Sequence, residues 1–229
     1  MKQTKEPQYN MLFDVAAKYG ISSFGLMANE SWNQDPRRTL FTLARYKFVA
    51  KMLSGKRRVL EIGCADAFGT RLVQQEVGHV TALDFDPVFI ADAQRRMSEH
   101  WSFECVEHDM VRAPFAGDFD AAYSLDVIEH IAPTDEPSFL RHVCASLTNS
   151  GIAVIGAPSL ESQRYASEQS RAGHVNCKTG ADFKRDLERY FCNVFLFSMN
   201  DEVVHTGFSP MAHYLIALCC GVRDNTNPT

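Results

Sequence analysis

The chain has 229 residues, 45% of them apolar and 22% charged, which suits one globular domain with a sizeable core and excludes a disordered or fibrous chain. A net charge of −5, with Lys56-Arg57-Arg58 as the main basic run, argues against DNA or RNA as a partner, since phosphate binding needs clustered Lys and Arg. Seven scattered cysteines without zinc or C-x-x-C spacing, a start Met1-Lys2-Gln3-Thr4-Lys5-Glu6-Pro7 without a hydrophobic signal region, and no run of about 18 apolar residues imply reduced thiols, a cytoplasmic location and no membrane contact.

Residues 1–35 mix Tyr9, Phe13, Tyr19, Phe24 and Trp32 with Gly20 and Gly25, which predicts short helices and loops. Pro36 suits the first turn of a helix, and Leu40, Phe41, Leu43, Ala44, Phe48, Val49 and Met52 then recur at helical spacing. Strand and helix patterns alternate afterwards: strand 58–62, helix 68–77, strand 79–84, helix 87–98, strands 102–106 and 119–125, helix 135–147, strand 151–157. A helix over 180–190, a strand over 193–199 and the apolar run 212–220 follow, and the polar residues 224–229 form a frayed tail. Such alternation implies an α/β fold with parallel strands and helices on both faces.

The stretch Val59-Leu60-Glu61-Ile62-Gly63-Cys64-Ala65-Asp66-Ala67-Phe68-Gly69 carries the strongest chemical signal. It reads as a buried strand ending in an acid, then a tight turn of small residues, then a helix. Turns of this kind bind nucleotide-like cofactors at the carboxyl end of a parallel sheet. Asp84 closes the next strand 21 residues after Gly63, about the ~20 expected of a carboxylate that holds ribose hydroxyls. Ala65 and Ala67 stand where G-x-G-x-G would carry glycine, which suits a cofactor without phosphate better than a dinucleotide.

Glu61-Ile62-Gly63-Cys64, Leu83-Asp84-Phe85-Asp86-Pro87 and His108-Asp109-Met110 resemble the first three motifs of class I S-adenosylmethionine-dependent methyltransferases. The run from Phe119 to Ile131 is similar to the segment that follows them. The resemblance covers 55–160 well, the last strands loosely and the N-terminal part hardly at all. It implies a Rossmann-like, doubly wound, mostly parallel seven-stranded sheet whose last strand is antiparallel. One methyltransferase domain would span 1–229, with 1–54 a helical cap and substrate lid, 55–222 the catalytic core and 223–229 a flexible tail.

For the cofactor, the resemblance implies that Asp84 takes the ribose and Phe85 covers the adenine. Asp109 would accept from the adenine amino group, with the Met110 N–H beside it. Glu61, Gly63 and Ala65 would lie against the methionine and sugar portions, and Ser124 and Leu125 would border the methionine end. Arg45 is a candidate for the cofactor carboxylate, because a planar guanidinium suits bidentate carboxylate binding.

Asp126, Glu129 and His130 fall at i, i+3 and i+4, so on a helix they share one face. Three readings stand: a divalent metal site holding an acceptor hydroxyl, His130 as general base, or Glu129 and His130 bracing the loop. Metal is the least favoured, since no fourth ligand is evident. His174, in the loop that with 158–167 should cap the acceptor pocket, is a second candidate base, and His205 a weaker one. The expected reaction is methyl transfer to a hydroxyl of a sugar or similar small polar metabolite, releasing S-adenosylhomocysteine, with a second copy of the chain as the one protein partner entertained. N-methylation of an amine or protein side chain, favoured by Asp126, Asp201 and Glu202, and a non-catalytic binding module are the alternatives.

Overall fold

The computed structural model describes residues 3–223; the expected tail at 224–229 lies outside them. Eight strands form one sheet in the order β3-β2-β1-β4-β5-β8-β6-β7. They are β1 (Arg58–Ile62), β2 (His79–Asp84), β3 (Glu104–Glu107), β4 (Phe119–Leu125), β5 (Leu147–Pro158), β6 (Phe191–Asn200), β7 (Val203–His205) and β8 (Tyr214–Val222). Strands β1 to β5 pair in parallel, while β8 slots antiparallel between β5 and β6. The eighth strand beyond the seven expected is β7, three residues folded back along β6 at the sheet edge.

Helices α1 (Met11–Tyr19), α2 (Leu26–Gln34) and α3 (Pro36–Met52) precede the sheet. Asp35 opens α3 by accepting from the Arg37 N–H, with Pro36 in its first turn as expected. Between strands lie α4 (Thr70–Gln74), α5 (Pro87–Arg96), α6 (Glu136–Ser146), α7 (Glu168–Gly173) and α8 (Gly180–Leu187). Alternate side chains of each central strand serve opposite faces. Val59, Ala82, Ala121 and Tyr123 pack with Tyr46 and Val49 of α3 and Ile90 and Ala93 of α5. Leu60, Ile62, Leu83 and Ala122 pack with Phe139 and Val143 of α6 and Phe183 and Leu187 of α8. Two apolar layers thus flank the central strands, and their carboxyl ends present the site.

Several boundaries differ from the sequence expectation, β5 for one starting at Leu147 rather than 151. The helix predicted over 68–77 shrinks to α4, because residues 63–69 are consumed by left-handed turns at Gly63 (φ +76°), Ala65 (φ +44°) and Ala67 (φ +53°). Strand β3 starts two residues later than predicted, and the segment before it is a Ser98–Trp101 bridge. Residues 126–130 are not one helix. Asp126 sits at φ +58°, and only Ile128–His130 form a 3-10 turn, so the shared face expected of Asp126, Glu129 and His130 does not exist.

Candidate functional site

The turn after β1 is built by backbone bonds that leave its small residues close to the sheet. The Gly63 and Cys64 N–H groups both donate to the Leu83 carbonyl, at 2.8 and 2.9 Å. Gly63 needs its missing side chain twice over: its φ is positive, and a Cβ there would fall 2.2 Å from a Val127 methyl. Ala65 and Ala67 adopt the left-handed conformation that glycine would take, so the alanines keep the shape of the turn at a cost of about 1 kcal/mol each.

Asp84 closes β2 directly beneath this turn. Its carboxylate accepts from the Ala65 N–H at 2.8 Å and from the Asp86 N–H at 2.9 Å. Burial raises its pKa, against those amide bonds, which lower it. A cleft of about 440 Å³ opens alongside, lined by Phe85, Glu107, His108, Asp109, Arg112 and Ala113. Phe85 is largely exposed there. Asp109 accepts from the Val111 N–H at 2.8 Å and pairs with Arg112 at 3.2 Å, while Met110 is buried.

Glu61 is closed off from the cleft, its side chain 1% exposed. Tyr46 donates to one oxygen at 2.8 Å and Thr70 to the other at 2.5 Å, with the buried Tyr123 alongside. Burial outweighs these bonds and pushes the carboxyl up to about 7. Glu61 therefore ties α3 and α4 to β1 beneath the turn.

At the end of β4, Ser124 and Leu125 are buried, and the Ser124 Oγ finds no partner. Next comes Asp126, which holds Arg45 through contacts of 2.7 and 2.9 Å. The Arg45 guanidinium also stacks on the Tyr214 ring at 3.7 Å, and the Tyr214 hydroxyl accepts from the Asp126 N–H at 3.2 Å. Tyr214 belongs to this site, yet in the sequence it is one residue within the last apolar run, with no local signal to set it apart.

Beyond Asp126, Glu129 and His130 meet His174, which lies 44 residues further along the chain than His130. Backbone bonds bring them together: the Val175 and Asn176 N–H groups donate to the Glu129 carbonyl at 2.8 and 3.0 Å. The two imidazole rings stand edge to face, 5.1 Å apart. Each has its Nδ1 bound, His130 to the Gly173 carbonyl at 2.9 Å and His174 to the Gln163 amide oxygen at 2.8 Å. Both acceptors require an Nδ1–H, so in the neutral ring each Nε2 carries the lone pair. Glu129 is 1% exposed and its Oε2 has no partner. Burial and then Asp126 push its pKa well above the carboxylate range, and burial and then His130 lower that of His174. Ligand atoms of Glu129, His130 and His174 lie within 4.8 Å of one another.

His205 is elsewhere. Its Nε2 meets Asn200 and its Nδ1 accepts from the Gly207 N–H, both at 2.9 Å, which makes it a brace of the β6–β7 edge. Asp201 and Glu202 are exposed at the turn of that hairpin.

Residues 59–151 match a family model described as a methyltransferase domain. The ubiquinone biosynthesis O-methyltransferase of Xanthomonas axonopodis pv. citri (strain 306) is 28% identical over 140 residues, 57% of this chain and 56% of that protein. A probable S-adenosylmethionine-dependent methyltransferase of Mycobacterium tuberculosis (strain ATCC 25618 / H37Rv) is 27% identical over 104 residues, 45% of this chain and 36% of that one. The chain thus spans about half the length, or less, of these curated relatives. Among solved structures, N-methyltransferase NodS from Bradyrhizobium japonicum WM9, in complex with S-adenosyl-L-homocysteine, superposes with a TM-score of 0.59 at 20% identity, covering 83% of this chain and 90% of that one. The methyltransferase domain of the bacterial CtHen1 superposes with 0.64 at 16% identity, covering 79% and 99%. At such identities the two structures speak for the fold.

Proposed function

This chain belongs to the class I S-adenosylmethionine-dependent methyltransferases, and from that premise we propose that it moves a methyl group from S-adenosylmethionine to a hydroxyl of a small polar molecule, a sugar or related metabolite. In this reading residues 55–222 are the catalytic core and 1–54 the cap over the acceptor. Asp84 holds the ribose and Phe85 and Asp109 the adenine. Gly63, Ala65, Ser124 and Leu125 line the methionine side, with Glu61 bracing the turn from below. Arg45, the expected partner of the cofactor carboxylate, sits at that same end but already holds Asp126 and stacks on Tyr214.

The sulfonium makes the methyl electrophilic, so alignment of donor and acceptor supplies much of the rate. A hydroxyl acceptor also has a proton to lose. The pair of free Nε2 lone pairs on His130 and His174, beside the buried Glu129, is the observation that carries the hydroxyl reading. One Nε2 takes the proton as the oxygen attacks. Amine acceptors are less well served: Asp126 spends its charge on Arg45, and Asp201 and Glu202 stand exposed on the hairpin.

The test is S-adenosylhomocysteine release with a panel of hydroxylated and amine acceptors. His130→Ala and His174→Ala should each lower kcat by about 100-fold or more, the usual range for a general base, with cofactor affinity unchanged. Full activity in both variants, on an amine, would replace this reading by N-methylation.

The same three ligand atoms within 4.8 Å favour a second reading, in which Glu129, His130 and His174 hold a divalent cation. Two imidazoles with their Nδ1–H groups anchored and an unpartnered buried carboxylate oxygen suit such an ion. Its chemistry would be to polarise the acceptor hydroxyl. Mn2+ binding followed by electron paramagnetic resonance, present in the wild type and lost in Glu129→Gln, would favour the cation, and activity unaffected by a chelator would exclude a need for it. Among the described residues no helix is long and apolar enough to cross a membrane.

A further inference from the structure

Helix α2 starts without a cap of its own, because the residue before it is Gly25. Two carboxylates from distant parts of the chain serve instead. Asp92 of α5 accepts from the Leu26 N–H at 3.1 Å, and Asp66 of the turn after β1 accepts from the Ala28 N–H at 2.8 Å. Negative charge belongs at a helix N-terminus, where N–H groups lack partners and the dipole is positive. Both acids are buried, at 4% exposure for Asp66 and 5% for Asp92.

Asp66 does more than cap. Its other oxygen accepts from the Phe68 N–H at 3.1 Å, which spans Ala67 with its left-handed φ of +53°. The Asp66 carbonyl takes the Arg96 guanidinium, and Arg96 also pairs with Asp92 at 3.1 Å. Gly25 passes so near that a Cβ there would fall 2.4 Å from the Asp66 carboxyl. Phe24 closes the contact, its ring 5.1 Å from Phe68 and 5.4 Å from Trp32. The turn 63–69 is therefore held from two sides, by Asp84 through the Ala65 N–H and by the N-terminal segment through Asp66.

We infer that Asp66 is a positioning residue that couples docking of residues 24–34 to the conformation of the cofactor turn. The inference rests on the cofactor reading above and adds a direction to it. Each oxygen of one carboxylate serves a different element, so the turn reaches its full order only when α2 is seated. Such a coupling is reciprocal: a ligand that orders the turn must favour the docked helix by the same factor. The N-terminal segment then acts as a cap that senses whether the cofactor turn is formed.

Amide hydrogen exchange, with calorimetry of S-adenosylhomocysteine binding, tests this on the full chain. Asp66→Asn removes the shared charge, and Gly25→Ala sets a Cβ against the Asp66 carboxyl, which forces α2 and that acid apart while keeping the acid itself. Either variant, folded by circular dichroism, should speed exchange at residues 65–68 and 26–29 together by about 10-fold without ligand. Each should also weaken S-adenosylhomocysteine by about 10-fold, and the ligand should slow exchange at 26–29 in the wild type. Faster exchange at 26–29 in Gly25→Ala with 65–68 unchanged would overturn the coupling, as would wild-type affinity in both variants. Failure of the wild type to bind S-adenosylhomocysteine would sink the cofactor reading instead, and the ligand-free exchange would still decide the coupling.

Discussion

Asp84→Ala is expected to weaken S-adenosylhomocysteine binding by 100-fold or more in calorimetry, from an affinity in the micromolar range. A carboxylate accepting from two ribose hydroxyls makes two charge-assisted bonds, each worth about 1.5–3 kcal/mol. Losing both corresponds to a factor of about 100 at the least. The variant also frees the Ala65 and Asp86 N–H groups, which Asp84 now satisfies, so the turn itself loosens. Asp84→Asn separates the two effects. It keeps one acceptor oxygen but turns an N–H2 group toward a donor, and it should recover only part of the loss. Wild-type affinity in Asp84→Ala would remove Asp84 as the ribose anchor. Absence of binding in the wild type would support the non-catalytic alternative.

Glu61 should make the stability of the fold depend on pH across the neutral range. Its pKa rises from 4.5 to about 7 in the folded chain, with burial as the main cause. A raised pKa means that the folded state holds the proton more tightly than the unfolded one. The stabilisation is therefore complete below about pH 4.5 and is lost as pH rises through 7. In full it amounts to roughly 3 kcal/mol, most of it lost between about pH 5 and 8. Glu61→Gln keeps the shape and cannot ionise, so its denaturation midpoint should stay flat over that interval while that of the wild type falls. Parallel profiles for the two proteins would mean that another group sets the dependence. The consequence reaches the site, because an ionised Glu61 lies beneath the turn that Asp84 grips from the other side.

Much of the architecture was legible because it depends on local rules. Alternating apolar strands and amphipathic helices place β1 to β5 and the helices between them, and burial on both faces follows from the unbroken apolar runs. Asp84 could be singled out from its spacing to Gly63 alone. The turn was harder to read, since glycine is the usual sign of a left-handed backbone and Ala65 and Ala67 adopt it without that sign. The three-residue β7 left no periodic signal, being too short for alternation to show.

The cluster around Asp126, His130 and His174 could not be read in the same way. Helical spacing suggested one face for Asp126, Glu129 and His130, but the positive φ of Asp126 breaks that helix and sends its carboxylate to Arg45. What brings His130 to His174 is a pair of backbone bonds from residues 175 and 176 to Glu129, and no side-chain pattern announces them. Tyr214, Gln163 and Asp66 are equally silent as single letters, although each fixes a group of the site. The sequence by itself determined the strand and helix order, the covering of both sheet faces by helices and the acid that closes β2, because backbone preference and burial periodicity act over a few residues. Tertiary structure alone decided the imidazole pair, the Arg45–Asp126–Tyr214 cluster and the docking of α2 on the turn after β1. Those depend on how loops far apart in the chain cross the carboxyl edge of one sheet, and their contacts form only once that sheet is packed.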